Sequence, residues 1–405
     1  MSRPRLRTRS LAVTAIAGVL ALATACGSPT AGGSGGGGGS SDASPVKVGL
    51  VYSKSGPLAS YGEEYIQGFN AGLDYATKGT GKVDGHQVEV VERDDAGDPA
   101  KAVSAATDLI GQGVKILAGS TSSGVATQVA PLAEQNKVLF ISGPAATDAI
   151  TGINHYTFRS GRQTYQDILT AQSFIGDPAG KKVLVFAQDT AFGQANVAAV
   201  KAVLGDKGGA TVTPLLVPES ATDFTPFASQ AKGAHPDLLF VAWAGTTAPA
   251  MWQAMGQQDV LSSTTVVTGL DLRASYATYG DQATKLSFLS HYFAEATDNP
   301  VAQAEKQRVQ KAGGTVDLFT PDGFTAAQMI VHANQASPND VEKMVTSLEG
   351  WSFDGVKGKL TVRKADHALL QPMFQAKLKN ENGTIVPELV NTLDPEKTAP
   401  PVAGS

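Results

Sequence analysis

Two periodicities alternate along the body of this chain, residues 46–394. Short runs rich in Val, Ile, Leu and Phe precede longer segments with apolar residues at helical spacing. In the first half, strands are predicted at 47–52, 87–92, 115–118 and 138–141, separated by helices at 62–78, 98–110 and 125–135. In the second half, strands are predicted at 183–186, 211–217, 237–242 and 264–268, separated by helices at 194–204, 224–231 and 248–257. This alternation is typical of parallel sheets with helices on both faces.

The body has about 350 residues, which is longer than most domains built on a single hydrophobic core. Together with the two series of strands, this length predicts an α/β fold made of two doubly wound parallel-sheet lobes. In open sheets of this kind, ligands bind beyond the carboxyl ends of the strands. The loops that directly follow the strands are therefore where functional side chains are expected.

The N-terminus has the three parts of a secretory signal. Four arginines among residues 1–9 precede an apolar run of 15 residues at 11–25, shorter than the roughly 20 that span a bilayer. The run ends Ala23-Thr24-Ala25 before Cys26, the only cysteine in the chain. A lone cysteine at this place resembles the acceptor of a bacterial lipoprotein, so we expect a signal peptide over 1–25 and lipidation of Cys26. Ordinary secretion with a chance cysteine is the alternative.

Residues 26–45 follow as a Gly- and Ser-rich segment without core-forming side chains, which predicts a flexible tether. The formal net charge is −5 for the whole chain and becomes −9 once the four arginines of the signal are removed. An acidic chain without runs of Lys or Arg lacks the positively charged surface with which proteins bind nucleic acid. We therefore expect a globular body held near a membrane outside the cytoplasm.

Hydroxyl-rich loops follow three of the predicted strands in the first lobe, at 55–62, 119–124 and 142–147. The second of these loops directly precedes a helix. The free N–H groups and the dipole of a helix N-terminus attract a carboxylate or phosphate. The sequence therefore predicts an anion site here, although Ser122 or Ser123 could instead cap the helix, and the two roles are compatible.

These loops, with Asp94-Asp95 and Asp98-Pro99 after the second strand, resemble those of the leucine/isoleucine/valine-binding proteins. These are type 1 periplasmic binding proteins, extracytoplasmic receptors of branched-chain amino-acid ABC importers. The resemblance covers nearly the whole body. It implies that Ser123 and Thr147 hold the α-carboxylate of a ligand. Ala146, between Ala145 and Thr147, is also expected to contact the ligand. The resemblance also implies that the Ala145 carbonyl accepts from the α-ammonium and that Tyr61 stacks on the ligand side chain.

In the second lobe, the resemblance implies that Asp271 pairs with the α-ammonium, while a solvated loop aspartate is the alternative. Phe192 and Thr246 stand where the family often has tyrosines, and Trp243 adds a large ring nearby. The side-chain pocket therefore differs from that of branched-chain binders, and a related amino acid is as compatible with it.

The resemblance implies three hinge crossovers, near 158–162, 290–293 and 355–362. Lobe 1 would comprise 46–160 and 291–354, lobe 2 would comprise 161–290 and 355–394, and 395–405 would be a disordered tail. The segments 156–159 and 291–293 are predicted as strands that cross between the lobes.

The implied function is that of a monomeric solute-binding lipoprotein, anchored to the cell membrane and without a cofactor or metal. It captures an amino acid and delivers it to an ABC permease served by a separate ATPase. The alternatives are a sensory receptor, or a binder of another small molecule such as an amide or aromatic acid. A hydrolase is not expected, because no nucleophile, base or metal motif is present.

Overall fold

The computed structural model describes residues 44–335 and 337–404. The predicted signal peptide, Cys26 and nearly all of the tether lie outside the described residues. Within the described part, none of the helices is both long and apolar enough to cross a membrane.

The first lobe is built on a six-stranded sheet in the order β2-β3-β1-β4-β5-β6. Its elements are β1 Val46–Tyr52, α1 Ala59–Ala76, β2 Lys82–Val83, β3 His86–Asp94, α2 Pro99–Gly111, β4 Ile116–Gly119, α3 Ser123–Asn136, β5 Leu139–Ser142 and β6 Thr157–Arg159. All pairings are parallel except that of β2 with β3. The central strands β1, β4 and β5 are almost fully buried because apolar residues occupy both faces, as in Leu139–Ser142.

The second lobe repeats the same plan. Its first elements are α4 Thr164–Ile175, β7 Lys182–Gln188, α5 Ala191–Val200, β8 Thr211–Val217, α6 Thr225–Gly233, β9 Leu238–Ala242, α7 Ala248–Gln257, β10 Thr265–Gly269 and β11 Ser287–Ser290. A π-helical turn, Lys201–Asp206, extends α5, and kinked 3₁₀ segments within Arg273–Lys285 connect β10 to β11. The predicted two-lobe α/β fold is confirmed.

The chain then returns to the first lobe and finally to the second. The remaining elements are α8 Pro300–Lys311, α9 Thr320–Asn334, α10 Val341–Leu348, β12 Ser352–Gly355, β13 Gly358–Val362, β14 Leu369–Leu370, β15 Met373–Glu381 and β16 Thr384–Leu393. Strands β15 and β16 complete a seven-stranded sheet in the order β16-β15-β11-β10-β9-β7-β8. Helix α9 packs on α1, where Gly68 and Gly323 let the two backbones approach closely.

The third crossover lies further along the chain than predicted. Strands β12, β13 and β14 form a small antiparallel sheet, and Leu360, Val362 and Leu369 join the core of the first lobe. The chain therefore enters the second lobe only after Leu370, where Met373 begins β15. The sequence around 352–362 carries no local information about which lobe receives this segment.

Two further expectations differ from the structure. Residues 395–404 are not a free tail: Thr398 is buried, and Arg363 donates to the carbonyl oxygens of Pro400 and Pro401 at 2.7 and 3.1 Å. The segment 291–293 is irregular rather than a strand, since β11 ends at Ser290. The expected strand at 156–159 is present as β6.

Candidate functional site

A cavity of about 340 Å³ lies between the lobes, at the carboxyl ends of both sheets. In the first lobe β1 lies between β3 and β4, and in the second lobe β7 lies between β8 and β9, so the strand order reverses beside β1 and beside β7. The cavity is lined by the loops after β1, β4, β7, β9 and β10, which flank these reversals. This is the place where doubly wound sheets bind ligands.

The first lobe contributes the N-terminus of helix α3. Ser122 precedes the helix, yet its side chain makes no capping hydrogen bond, and the Ser123 hydroxyl instead accepts from the Thr147 N–H at 3.2 Å. Both serines line the cavity. The first-turn amides of α3 therefore have no side-chain cap and face a cavity that can take an anion.

The loop that follows β5 is oriented differently from the prediction. Ala146 lines the cavity, whereas Ala145 and Thr147 do not. The carbonyl oxygens of Ala145 and Thr147 accept from the buried Arg159 guanidinium at 2.8 and 3.0 Å. The Thr147 hydroxyl accepts from the Ala149 N–H at 3.3 Å. The two carbonyl oxygens are occupied because a buried guanidinium requires acceptors, which this loop provides.

The second lobe contributes Asp271, which lines the cavity directly after β10. Its Oδ1 accepts from the Leu272 N–H at 2.8 Å and from the Tyr61 hydroxyl at 2.9 Å. Burial raises the pKa of the Asp271 carboxyl, and these two hydrogen bonds oppose the rise. Asp271 is thus an ordered, largely buried acid and not a solvated loop residue.

Tyr61 lines the cavity as predicted, but its ring packs against a protein ring, Phe319, at 4.7 Å between centroids. Its hydroxyl accepts from the Gly245 N–H at 3.2 Å in addition to donating to Asp271. Tyr61 belongs to α1 of the first lobe, whereas Gly245 and Asp271 belong to the second. The tyrosine therefore joins the two lobes at one side of the cavity.

Apolar rings form another side of the cavity. Phe192 and Trp243, which the sequence analysis expects near the ligand side chain, both line it. The Trp243 ring is fixed by Phe186 and Phe224 at 5.5 and 5.2 Å between centroids, and its indole N–H donates to the Thr247 hydroxyl at 3.0 Å. Thr246, the predicted contact, is exposed and outside the lining, and its neighbour Thr247 contacts Trp243 without lining the cavity itself.

Sequence reasoning missed several polar residues that line the cavity, among them Arg162, Asp167 and His291. Arg162 and His291 lie at the first and second predicted crossovers, where no site was expected, and Asp167 follows on α4. The Arg162 Nε is 3.3 Å from Asp167 Oδ2, and both side chains are almost fully buried. A signal was available, because Arg162 is a charged residue within the predicted crossover at 158–162 and Asp167 lies five positions further on.

Comparison with known proteins agrees with this geometry. A family model described as "Periplasmic binding protein" matches residues 45–384. A Leu/Ile/Val-binding protein of Rhizobium johnstonii is 24% identical over 322 residues, covering 78% of this chain and 87% of the relative. A Leu/Ile/Val-binding protein homologue of Brucella melitensis is 26% identical, covering 84% of this chain and 93% of the relative.

Solved structures show the same architecture. A branched-chain amino acid ABC transporter protein of Rhodopseudomonas palustris is 34% identical with a TM-score of 0.73, covering 88% of this chain and 99% of that one. A solute-binding protein of the same species, in complex with 4-hydroxybenzoate, is 24% identical with a TM-score of 0.79, covering 87% and 97%. The second likeness shows the fold alone. The expected resemblance is thereby confirmed: the chain belongs to the periplasmic binding protein family, as an extracytoplasmic solute-binding protein of ABC transporters.

Proposed function

We propose that this protein captures one α-amino acid with an apolar side chain, branched-chain or related, between its lobes. The observation that carries the proposal is the presence of two opposite poles in one cavity. The uncapped amides of α3 with Ser123 attract an anion, and Asp271 attracts a cation. A free amino acid is the common small metabolite that carries both charges next to each other.

The carboxylate pole would consist of Ser123, the first-turn amides of α3 and the backbone at Ala146. The Ser123 hydroxyl accepts one hydrogen bond from Thr147 and keeps its own proton for a ligand. The ammonium pole would be Asp271, because a carboxylate–ammonium contact shielded from water contributes about 1.5–3 kcal/mol. Neither Ala145 nor Thr147 is needed in this arrangement, since neither lines the cavity and their carbonyl oxygens accept from Arg159.

The side-chain pocket would be formed by Phe192, Trp243 and Tyr61. Leu58, Leu270 and Leu318 also line the cavity, so most of its side-chain surface is apolar. A cavity of about 340 Å³ lies at the small end of the range for organic ligands. Size and lining together favour one aliphatic or aromatic amino acid over a peptide or a sugar.

The protein would act as a monomeric lipoprotein. Cys26 would carry the lipid, residues 26–45 would tether the lobes to the membrane, and the loaded form would dock on an ABC permease with its ATPase. Catalysis, a cofactor and a metal are not part of the proposal. In the described part of the chain, no group of three or more His, Cys, Asp or Glu side chains could hold a metal ion.

A second candidate ligand is an aromatic carboxylic acid without an amine. The rings around the cavity favour it, and a protein of the same fold has been solved with 4-hydroxybenzoate. The two candidates differ in one group, the ammonium that Asp271 would hold.

Calorimetric titration of the purified protein with each of the twenty amino acids and with 4-hydroxybenzoate tests the proposal. We expect at least one amino acid to bind with a Kd in the micromolar range or below, about −8 kcal/mol or more favourable. Binding of 4-hydroxybenzoate, with no response to any of the twenty amino acids, would refute the amino-acid assignment in favour of the second candidate.

A further inference from the structure

Arg162 is the one Arg or Lys among the described residues that line the cavity. It lies just after β6, where the chain first crosses between the lobes, and its side chain is 10% exposed. Its Nη1 donates to the Pro144 carbonyl at 2.6 Å. Its Nε has no hydrogen-bond partner in the described part of the chain.

The other buried cations near the crossovers are already engaged by the protein. Arg159 donates to two carbonyls and a hydroxyl of the loop after β5. Lys357 contacts Asp322 Oδ1 at 3.3 Å and also donates to Gln371. Neither Arg159 nor Lys357 lines the cavity. Arg162 alone therefore brings a positive side chain to the ligand.

The guanidinium of Arg162 lies beside the proposed carboxylate pole. Pro144, whose carbonyl accepts from Nη1, belongs to the same loop as Ala146, and the Thr147 N–H joins this loop to Ser123. Phe319 supports the guanidinium from another side, with its ring centroid 5.8 Å from Cζ. Two fixed contacts, Pro144 and Asp167, hold the group in place, while no hydrogen bond to a described residue engages Nη2.

We infer that Arg162 binds the carboxylate of the ligand through the Nη2 edge of its guanidinium, next to the N-terminus of α3. This inference rests on the proposed function and extends it, because it defines the ligand class as small monocarboxylates held by a cation. A guanidinium stays cationic at physiological pH and binds carboxylate in a fixed geometry. Asp167 is the positioning residue, since its carboxylate fixes the Nε side and leaves the opposite edge free.

A different result is expected if Arg162 and Asp167 only stabilise the crossover and do not contact the ligand. Loss of Arg162 would then lower the melting temperature of the unliganded protein without favouring any ligand group over another. A ligand contact instead discriminates between a carboxylate and the neutral carboxamide of the same shape. Paired probes that differ in this one group therefore separate the two roles: L-leucine with L-leucinamide, and 4-hydroxybenzoate with 4-hydroxybenzamide.

The experiment measures Kd for these four probes by calorimetry with the wild type and three variants. Removing Arg162 alone leaves the buried Asp167 unpaired, which endangers folding. The main variant is therefore the double substitution Arg162→Gln/Asp167→Asn, with Arg162→Lys as the conservative change. Arg308→Gln is the matched control, because Arg308 forms an ion pair with Asp74 at 2.8 Å and does not line the cavity.

We expect the wild type to prefer each acid over its amide. In the double variant the acid that binds should lose about 10- to 100-fold in affinity, so that this preference disappears. Arg162→Lys should lose less, and Arg308→Gln should behave as wild type. The inference is overturned if the double variant binds the acid within about twofold of wild type, and amino-acid binding then stands. If only 4-hydroxybenzoate binds, in an Arg162-dependent way, the amino-acid proposal fails and this inference holds. Both are overturned if neither 4-hydroxybenzoate nor any of the twenty amino acids binds; if another amino acid binds better than leucine, that acid and its amide replace the leucine pair.

Discussion

The Tyr61 hydroxyl donates to Asp271 Oδ1 at 2.9 Å across the cleft between the two lobes. The Gly245 N–H donates to the same hydroxyl at 3.2 Å, so one side chain of the first lobe contacts two loops of the second. Gly245 is required here, because its φ is +82° and an added Cβ would lie 2.8 Å from the Pro57 carbonyl oxygen. The acid proposed to bind the ligand ammonium is thus held by a residue of the opposite lobe.

This pairing separates two roles of Asp271. Asp271→Ala removes both the proposed ammonium contact and the interlobe hydrogen bond, so we expect amino-acid affinity to fall by one to two orders of magnitude. Tyr61→Phe removes only the interlobe hydrogen bonds and should cost about tenfold or less. Calorimetry on both variants with the best amino-acid ligand makes the comparison. Equal losses would show that Asp271 acts through Tyr61 and not on the ammonium.

The close packing of α1 on α9 predicts a large effect from one methyl group. A Cβ added at Gly68 would lie 1.8 Å from the Thr320 carbonyl oxygen, which is far closer than two non-bonded atoms can approach. Gly68→Ala should therefore destabilise the protein by about 2 kcal/mol or more, because the helices must separate. Chemical unfolding followed by circular dichroism measures the change.

Gly256→Ala is the matched control for this substitution. Gly256 lies in α7, and nothing would be within 4 Å of its added Cβ. Alanine is a better helix former than glycine, so this variant should be as stable as wild type or more stable by about 0.5–1 kcal/mol. A loss at Gly256 as large as that at Gly68 would contradict the packing argument.

Local patterns were sufficient for much of the fold. The apolar runs gave the parallel strands, and Asp98-Pro99 was expected to start a helix. Asp98 indeed accepts from the N–H groups of Ala100 and Lys101 at 2.7 and 3.1 Å. Such features depend on neighbours in sequence. The lobe that receives β12–β14 depends on distant contacts of Leu360 and Leu369, which no local pattern contains.

The site, like the fold, was predictable where it depends on local sequence and not where it depends on distant contacts. Ser123, Ala146 and Asp271 follow strands directly, and strand ends converge at the cavity in any doubly wound sheet. Ala145 and Thr147 also follow a strand, but Arg159 turns their carbonyls away from the cavity. That competition involves a residue more than ten positions away, on the next strand. Arg162 was missed for the opposite reason, because a crossover was expected to connect the lobes and not to contact a ligand.

Cys26 provides a prediction about location. Replacing its sulfur removes the only thiol in the chain and with it the proposed site of lipid attachment. Cys26→Ser should therefore move the protein from the membrane fraction to the soluble extracytoplasmic fraction. Cell fractionation followed by immunoblotting measures this, with ligand binding as the control for folding. Retention of the variant in membranes would argue against lipidation.

Glu305 predicts how stability depends on pH. This side chain on α8 is fully buried, and the Tyr292 hydroxyl lies 3.4 Å from its Oε2. Burial raises the pKa of Glu305 to about 8, although hydrogen bonds and Lys357 oppose the rise. The folded protein therefore holds a proton that the unfolded chain loses at about pH 4.5. Its stabilising contribution is complete below that pH and is lost as the pH rises through about 8.

Glu305→Gln mimics the protonated acid at every pH. Relative to wild type, the variant should gain unfolding free energy steadily between about pH 4.5 and pH 8, and the difference should level off above that. Urea unfolding at several pH values measures the slope. Glu396→Gln, at an exposed position near the C-terminus, should show no such gain. A constant difference between Glu305→Gln and wild type across this range would mean that the buried carboxyl titrates normally.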